Sequence, residues 1–467
     1  MKTTFQSTAR GWVDGSTQTL AARAFRTAAT LVSLPYSGVV RLRNRLYDLG
    51  VLRAFQAPRP TISVGNLTLG GVGKTPFVGW LADYFLQNAQ TPAFISRGYQ
   101  AESQRELFAR VDAAPIAQTA PNGQNSPPSQ SVSTLPSTQT PRPATPPIAQ
   151  FQHFNDEARE LALRFPTTPH FLGSKRVEVA AALVEARPDV DVLLLDDAFQ
   201  HRRIRRDLDV VLLDALNPFG GGRVFPSGFL REPLVGLRRA DVVLLNRADL
   251  VSDDRRRAIR AQVERFNPDA LFAEIAQTPR FIFSRRAPNI AADAVSANVP
   301  NNANDLNAPN GAPPSNDAIS ANDFNLANLP NGAPAIFAPP CPARLVREEF
   351  ATWAETRRGG RFLAFCGLGA PSGFRKTLET NGLTPTNFIA FPDHRAYSAS
   401  DFASLAAEAE RIDADAILTT AKDFVKIPES TLGGRPVFAL GIGVEFLSGE
   451  TALRALLAER FPKRRER

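Results

Sequence analysis

The sequence predicts an α/β protein: a P-loop NTPase domain on a parallel sheet, a smaller C-terminal α/β domain, and an N-terminal membrane-associated helical segment. Three observations carry that expectation. Residues 62–75 read ISVGNLTLGGVGKT, a strand, a glycine loop and a Lys-Thr pair that opens a helix. Short apolar runs ending in an acid or amide, DVLLLDD at 191–197, DVVLLD at 209–214 and DVVLLN at 241–246, alternate with helical patterns. Buried parallel strands have that form. An arginine-studded apolar stretch at 20–55 precedes them all.

Taken in order, the N-terminal segment (1–57) is not expected to act as a secretory signal. Arg23, Arg26, Arg41, Arg43, Arg45 and Arg53 flank or follow an uncharged run at 27–40. That run is 14 residues long, short of the ~20 that span a bilayer as a helix. Pro35 and Gly38 are expected to interrupt it. Two readings fit: a basic amphipathic segment lying in an anionic leaflet, or a helix pair packed on the domain that follows.

The P-loop domain is expected over 58–286. Its loop comprises Thr68, Leu69, Gly70, Gly71, Val72, Gly73, Lys74 and Thr75. Glycines let backbone N–H groups face phosphate oxygens, and the helix start adds a favourable dipole. Lys74 would reach the β- and γ-phosphates, and the Thr75 hydroxyl would hold Mg²⁺. The strict pattern wants glycine where this chain has Thr68. After a strand at 93–96, residues 113–150 turn rich in Pro, Ser, Thr and Gln and read as a disordered insertion. Asp196 and Asp197 end the next apolar run, where acids that hold Mg²⁺ beside Thr75 belong. The 220–233 stretch, GGGRVFPSGFLREP, reads as a mobile loop that meets an anionic substrate. A low-complexity linker follows at 287–342, then the C-terminal α/β domain at 343–467. Its Gly367 turn reads as a tight bend rather than a phosphate loop.

Composition narrows the function. A net charge of +8 and two cysteines, Cys341 and Cys366, in 467 residues favour an anionic partner and a reducing compartment. No aromatic-rich basic patch of the single-strand-binding kind is present, so nucleic acid is not expected as partner. A P-loop with magnesium-binding acids implies nucleotide-dependent phosphoryl transfer or a nucleotide switch. A kinase also needs a group to activate the acceptor hydroxyl. His201, which follows the paired acids at 196–197, and His394, which follows Asp393, each lie at a strand end and suit that task and a structural role equally. Asn246-Arg247-Ala248-Asp249 resembles the guanine-reading motif of GTPases, which keeps a GTPase or ATPase switch as the alternative.

The motifs together resemble the tetraacyldisaccharide 4'-kinase family, the lipid A 4'-kinases of Gram-negative bacteria. The likeness rests on VGNLTLGGVGKTP (64–76), SRGY (96–99), DDAFQHR (196–202), LREP (230–233), FPDH (391–394) and TTAKD (419–423), in the family's order. It makes Thr68 expected. It implies ATP and Mg²⁺ as cofactors and transfer of the γ-phosphate to the 4'-hydroxyl of a tetraacylated glucosamine disaccharide 1-phosphate. It also implies peripheral association with the cytoplasmic face of the inner membrane, a glycolipid partner and no obligate protein partner. By the same resemblance Asp156 and His394 form the catalytic pair, and Arg176 contacts phosphate. Gln200, His201, Arg231 and Glu232 line the substrate side. Whether Asp156 is the base or orients His394 stays open. Asn155-Asp156-Glu157-Ala158 keeps only the inner two residues of the family's Gly-Asp-Glu-Pro, and Ala421 replaces a glutamate in TTAKD.

Overall fold

The computed structural model describes residues 17, 19–97, 156–285, 336–337, 345–369, 371–393, 395–427 and 429–463. The insertion expected at 113–150 and His394 lie outside these residues, as do Gly98, Tyr99 and Asn155.

Strand β1 (Thr61–Asn66) is buried throughout and lies between β4 (Val192–Asp196) and β5 (Leu208–Asp214), parallel to both. Beyond β4 come β2 (Pro92–Ser96) and β3 (His170–Leu172), and beyond β5 come β6 (Val242–Asn246) and β7 (Leu271–Arg285). Each of these pairs is parallel too. The chain therefore leaves β1 toward one edge and later resumes on its other side. That reversal opens a crevice at the carboxyl end of β1.

Side chains alternate between two cores with the two-residue strand period. Ile62, Val64, Leu194 and Leu244 face helix α2 (Lys74–Gln87) and α3 (Asp156–Arg164). Leu193 and Leu195 face α4 (Arg176–Ala186), while Val243 and Leu245 face α5 (Asp253–Glu264). Phe77, Leu81 and Phe85 of α2 are fully buried, worth roughly 1.5–3 kcal/mol each. At the sheet edge, β8 (Ile336–Phe337) pairs antiparallel with β3, so the stretch read as a low-complexity linker holds a short strand.

A second set of parallel strands follows. The strand β9 (Leu345–Glu349) pairs with β7, and α6 (Phe350–Glu355) follows it. Strands β10 (Phe362–Cys366), β11 (Asn387–Ala390) and β12 (Ala416–Thr420) alternate with α7 (Pro371–Thr380) and α8 (Ala399–Arg411). A short helix α9 (Ala421–Phe424) caps β12. Then β13 (Thr431–Leu432) forms a hairpin with β14 (Arg435–Ser448). The final helix, α10 (Glu450–Arg460), returns to the first core, where Leu453 and Leu457 pack with Phe85.

The two strand sets join because β14, parallel to β12, runs antiparallel to β7. Strand β6 ends where Asn246 faces Ile275, and β12 ends where Thr420 faces Leu440, itself opposite Ile282. Seven residues of β7 thus separate the two levels, about 23 Å at ~3.3 Å per residue. The strand directions are opposed, so the carboxyl ends of both sets point toward each other across this ribbon.

The N-terminal stretch is a single helix, α1 (Leu20–Asp48), which continues through Pro35 and Gly38 rather than breaking there. Ala22, Ala29 and Ser33 are buried, and Ser37, Val40, Asn44 and Tyr47 continue that stripe half-buried at helical spacing. Leu31, Val32, Leu34, Val39 and Leu42 face outward, exposed by 59% or more. No described helix is long and apolar enough to cross a membrane.

Candidate active site

The glycine loop leaves β1 at Asn66, whose side chain turns back to donate to the Thr68 carbonyl at 2.6 Å. Thr68 is buried, and its backbone bridges Leu230. A glycine is not required there, because the backbone makes no left-handed turn until Gly70 (φ 108°) and Gly73 (φ 75°). A Cβ on Gly73 would collide with the side chains of Gln277 and Asn246. Both amides hold the loop from outside. Gln277 donates to the Gly73 carbonyl at 2.9 Å, and Asn246 donates to the Val72 carbonyl at 2.7 Å.

Lys74 Nζ sits 3.1 Å from Asn66 Oδ1 and 3.2 Å from Asp197 Oδ1. Arg231 clamps both oxygens of Asp197 at 2.9 and 3.0 Å. Burial works against the Asp197 charge, but Lys74 and Arg231 outweigh it and hold the carboxyl down at about 2. Its neighbour behaves oppositely. Asp196 is buried and its Oδ1 has no hydrogen-bond partner among the described residues. Burial first, then Asp197 and Glu157, push it up to about 6 against the pull of Lys74 and Arg176. Thr75 stands half-buried at the start of α2.

The loop at 220–233 is not loose. Leu69 N–H donates to the Phe229 carbonyl at 2.6 Å, Arg231 N–H to the Leu67 carbonyl at 2.7 Å, and Phe225 N–H to the Leu230 carbonyl at 2.8 Å. It is stitched to the glycine loop, which corrects the expectation of a mobile element. Glu232, only 1% exposed, receives Gln200 Nε2 at 3.0 Å, Asn44 Nδ2 at 2.9 Å and Arg239 at 3.0 Å on both oxygens. Gln200 also donates to the Asn66 carbonyl at 2.9 Å. Both residues therefore brace the site. His201 is pushed down to about 4 by burial and by Arg176 and Arg206, so it is neutral at pH 7. Arg176 lies behind the site: 2% exposed, it donates to the carbonyls of Gly173, Ile95 and Asp196 at 3.2–3.5 Å. Its guanidinium ties the ends of β2 and β4 together.

Asp156 opens α3 and faces the second strand set. Lys426 Nζ is 3.0 Å and Lys422 Nζ 3.9 Å from its Oδ2, and Lys422 also reaches Asp393 at 3.2 Å. These lysines stand on and after α9, so the ribbon geometry brings them to Asp156. Behind them Asp423, fully buried, accepts from Gly367 N–H at 2.9 Å, Tyr397 Oη at 3.0 Å and Thr420 Oγ1 at 2.7 Å. The Gly367 turn is thus filled by the protein's own carboxylate, as a bend rather than a phosphate site.

The sequence did not single out Asn66, Gln277 or Lys426 for the site. Asn66 carried a signal, as the last strand residue before the loop, and Lys426 stands one helical turn past Lys422. Gln277 carried none. The GTPase-like segment also resolves: Asn246 is buried behind the loop, Arg247 pairs with Asp214 at 2.7 Å, and Asp249 is exposed. Guanine-reading side chains do not converge there.

A parallel sheet whose first strand feeds a glycine loop, a lysine and a helix, with acids at the next strand end, defines the P-loop class of nucleotide-phosphate-binding proteins. The family model for tetraacyldisaccharide-1-P 4'-kinase (LpxK) matches residues 26–122 and 137–462. The tetraacyldisaccharide 4'-kinase of Anaeromyxobacter dehalogenans (strain 2CP-C) is 31% identical over 430 residues, 92% of this chain and 89% of that one. The same-named protein of Halothermothrix orenii is 28% identical over 391 residues, 84% and 80% of the two chains. The crystal structure of the "apo" form of LpxK from Aquifex aeolicus in complex with ATP shares the fold, with a TM-score of 0.55 and 23% identity over 94% of this chain and 99% of that one. The chain belongs to the tetraacyldisaccharide 4'-kinase family.

Proposed function

We propose that this protein transfers the γ-phosphoryl group of ATP to the 4'-hydroxyl of a tetraacylated glucosamine disaccharide 1-phosphate. The observation that carries the reading is the opposition of two groups across the ribbon: Lys74 at the glycine loop, and Asp156 beside the lysines of the second strand set. An incoming triphosphate competes with Asp197 for Lys74, while Arg231 keeps Asp197 ionised and in place. Thr75, Asp196 and Asp197 fit a magnesium ion, since Asp196 presents a buried carboxylate oxygen with no hydrogen-bond partner among the described residues. Bound there, magnesium neutralises charge on the phosphates. Asp156, with His394 as the partner implied by the family resemblance, activates the acceptor hydroxyl. Lys426, 3.0 Å from Asp156 Oδ2, pairs with the charge of that carboxylate. Arg176 and Glu232 act on structure, and Gln200 braces the loop.

Helix α1 supports a place on the cytoplasmic face of the inner membrane. Its outward leucines and valines, flanked by Arg23, Arg41 and Arg45, suit an anionic leaflet in which the acceptor's acyl chains stay. We also read 58–286 and 343–467 as two functional halves, one for nucleotide and one for closing over it.

The test is phosphate transfer from γ-labelled ATP, with Mg²⁺ and the disaccharide 1-phosphate lipid in detergent. Label appearing in the lipid supports the kinase. Label released only as inorganic phosphate, or turnover with GTP alone, sinks it.

A further inference from the structure

We infer that Asn44 of helix α1 is a positioning residue that couples the seating of this helix on a membrane to the phosphate loop. The inference rests on the kinase reading and on the outward apolar face of α1 described above. Four hydrogen bonds connect the helix to the loop lysine. Asn44 Nδ2 donates to Glu232 Oε2 at 2.9 Å, and Gln200 Nε2 donates to Glu232 Oε1 at 3.0 Å. The same Gln200 nitrogen donates to the Asn66 carbonyl at 2.9 Å, and Asn66 Oδ1 accepts from Lys74 at 3.1 Å.

The arrangement is more than adjacency. Glu232 is almost fully buried, so each donor on its carboxylate matters to where it sits. Two more contacts run from the same face of α1 to the site. Arg43 donates to the Gln200 carbonyl at 2.7 Å, and Tyr36 Oη to the Arg231 carbonyl at 3.2 Å. Gln200 and Arg231 hold Asn66 and Asp197, the two groups bonded to Lys74. The opposite face of the helix, at Leu31, Leu34, Val39 and Leu42, is exposed. A helix is a stiff rod, so a force on one face is felt on the other. Insertion of the leucines in lipid therefore sets the position of Asn44 and, through Glu232, of Lys74.

A chain of contacts becomes coupling only when energies are shared along it. The test measures ATP affinity of the full-length protein by calorimetry, with and without vesicles of phosphatidylglycerol and phosphatidylethanolamine, alongside vesicle sedimentation. In the wild type, vesicles are expected to tighten ATP binding several-fold. Asn44→Ala is expected to lose that response, weaken ATP about ten-fold on vesicles, and sediment with vesicles as before. Asn44→Asp, which sets a second carboxylate against Glu232, is expected to lose more than Asn44→Ala. The double variant Asn44→Ala/Glu232→Gln is expected to be no weaker than the worse single change. A full vesicle response in Asn44→Ala, or effects that multiply in the double variant, overturns the inference. None of these readouts needs lipid phosphorylation, so a failure of the kinase reading appears separately, as absent label transfer in the wild type.

Discussion

Two glycine turns follow parallel strands in this molecule, and they do opposite things. After β1 the turn is open: a Cβ added at Gly70 or Gly71 would meet nothing within 4 Å, and the helix begins with Lys74 and Thr75. After β10 the turn is closed: Gly367 gives its N–H to Asp423, and a Cβ there would lie 3.0 Å from that carboxylate. Backbone amides at a strand end always seek an acceptor. The first turn leaves that role to a ligand and the second assigns it to the chain. A glycine after a strand is therefore not itself a phosphate site. The adjacent lysine makes it one, together with the lack, among the described residues, of a carboxylate that accepts the turn's backbone N–H as Asp423 does at Gly367.

That contrast can be broken at several points. The largest effect is expected from Lys74→Ala, which removes the cation of the open turn and should lower phosphate transfer roughly 10³-fold, read in the labelled-ATP assay. Asp156→Asn should lower kcat by roughly 10²–10⁴-fold and leave ATP binding nearly unchanged, if it acts on the acceptor as proposed; an equal loss in ATP affinity would move it to the nucleotide. Asp423→Asn unplugs the closed turn. It should cost about 1–3 kcal/mol of stability by denaturant titration, and should create no second ATP site, because no lysine follows Gly367 as Lys74 follows Gly73.

Smaller effects sharpen the comparison at Asp196 and Asp197. The Asp196 carboxyl is raised to about 6, above its unfolded value near ~4. Its contribution to stability is full below the unfolded value and is lost as pH rises through about 6. Asp197, held at about 2, contributes above the unfolded value and loses that contribution as pH falls toward about 2. Asp196→Asn should therefore stabilise the metal-free protein at pH 7.5 by about 1–2 kcal/mol and abolish any rise in melting temperature on adding Mg²⁺. Asp197→Asn should lose stability at that pH. Gln277→Ala, the smallest change, should weaken ATP a few-fold by freeing the Gly73 carbonyl.

The site's local parts were legible in the sequence because they are local. Strand, glycines, Lys74, Thr75 and the paired acids occur as contiguous patterns, and the family resemblance placed Asp156. The ribbon was not legible. Residues 271–285 carry Glu274, Gln277, Thr278 and Pro279 in mid-strand, which read as a break in any period-two pattern. Ala273, Ile275, Ile282 and Phe283 are buried toward the strand's two ends, and the polar middle between them is held as strand by its pairing with β14. Lys426 was missed for a related reason, since its partner Asp156 is close only after the two strand sets are opposed. Pro35 misled at α1, where the exposed helix tolerates the lost hydrogen bond of one proline.

The β7–β14 ribbon is also a ruler. Because it alone carries the sheet from one strand set to the other among the described residues, its length fixes the distance between the glycine loop and the Lys422–Lys426 segment that faces Asp156. That length changes only in steps of a pleat. Lengthening both strands by one residue turns Gln277 away from the loop it steadies, and lengthening both by two restores every face but parts the two ends by about 7 Å. Loops at either end can change length without moving the two strand sets, while a change in the ribbon's own count moves one against the other.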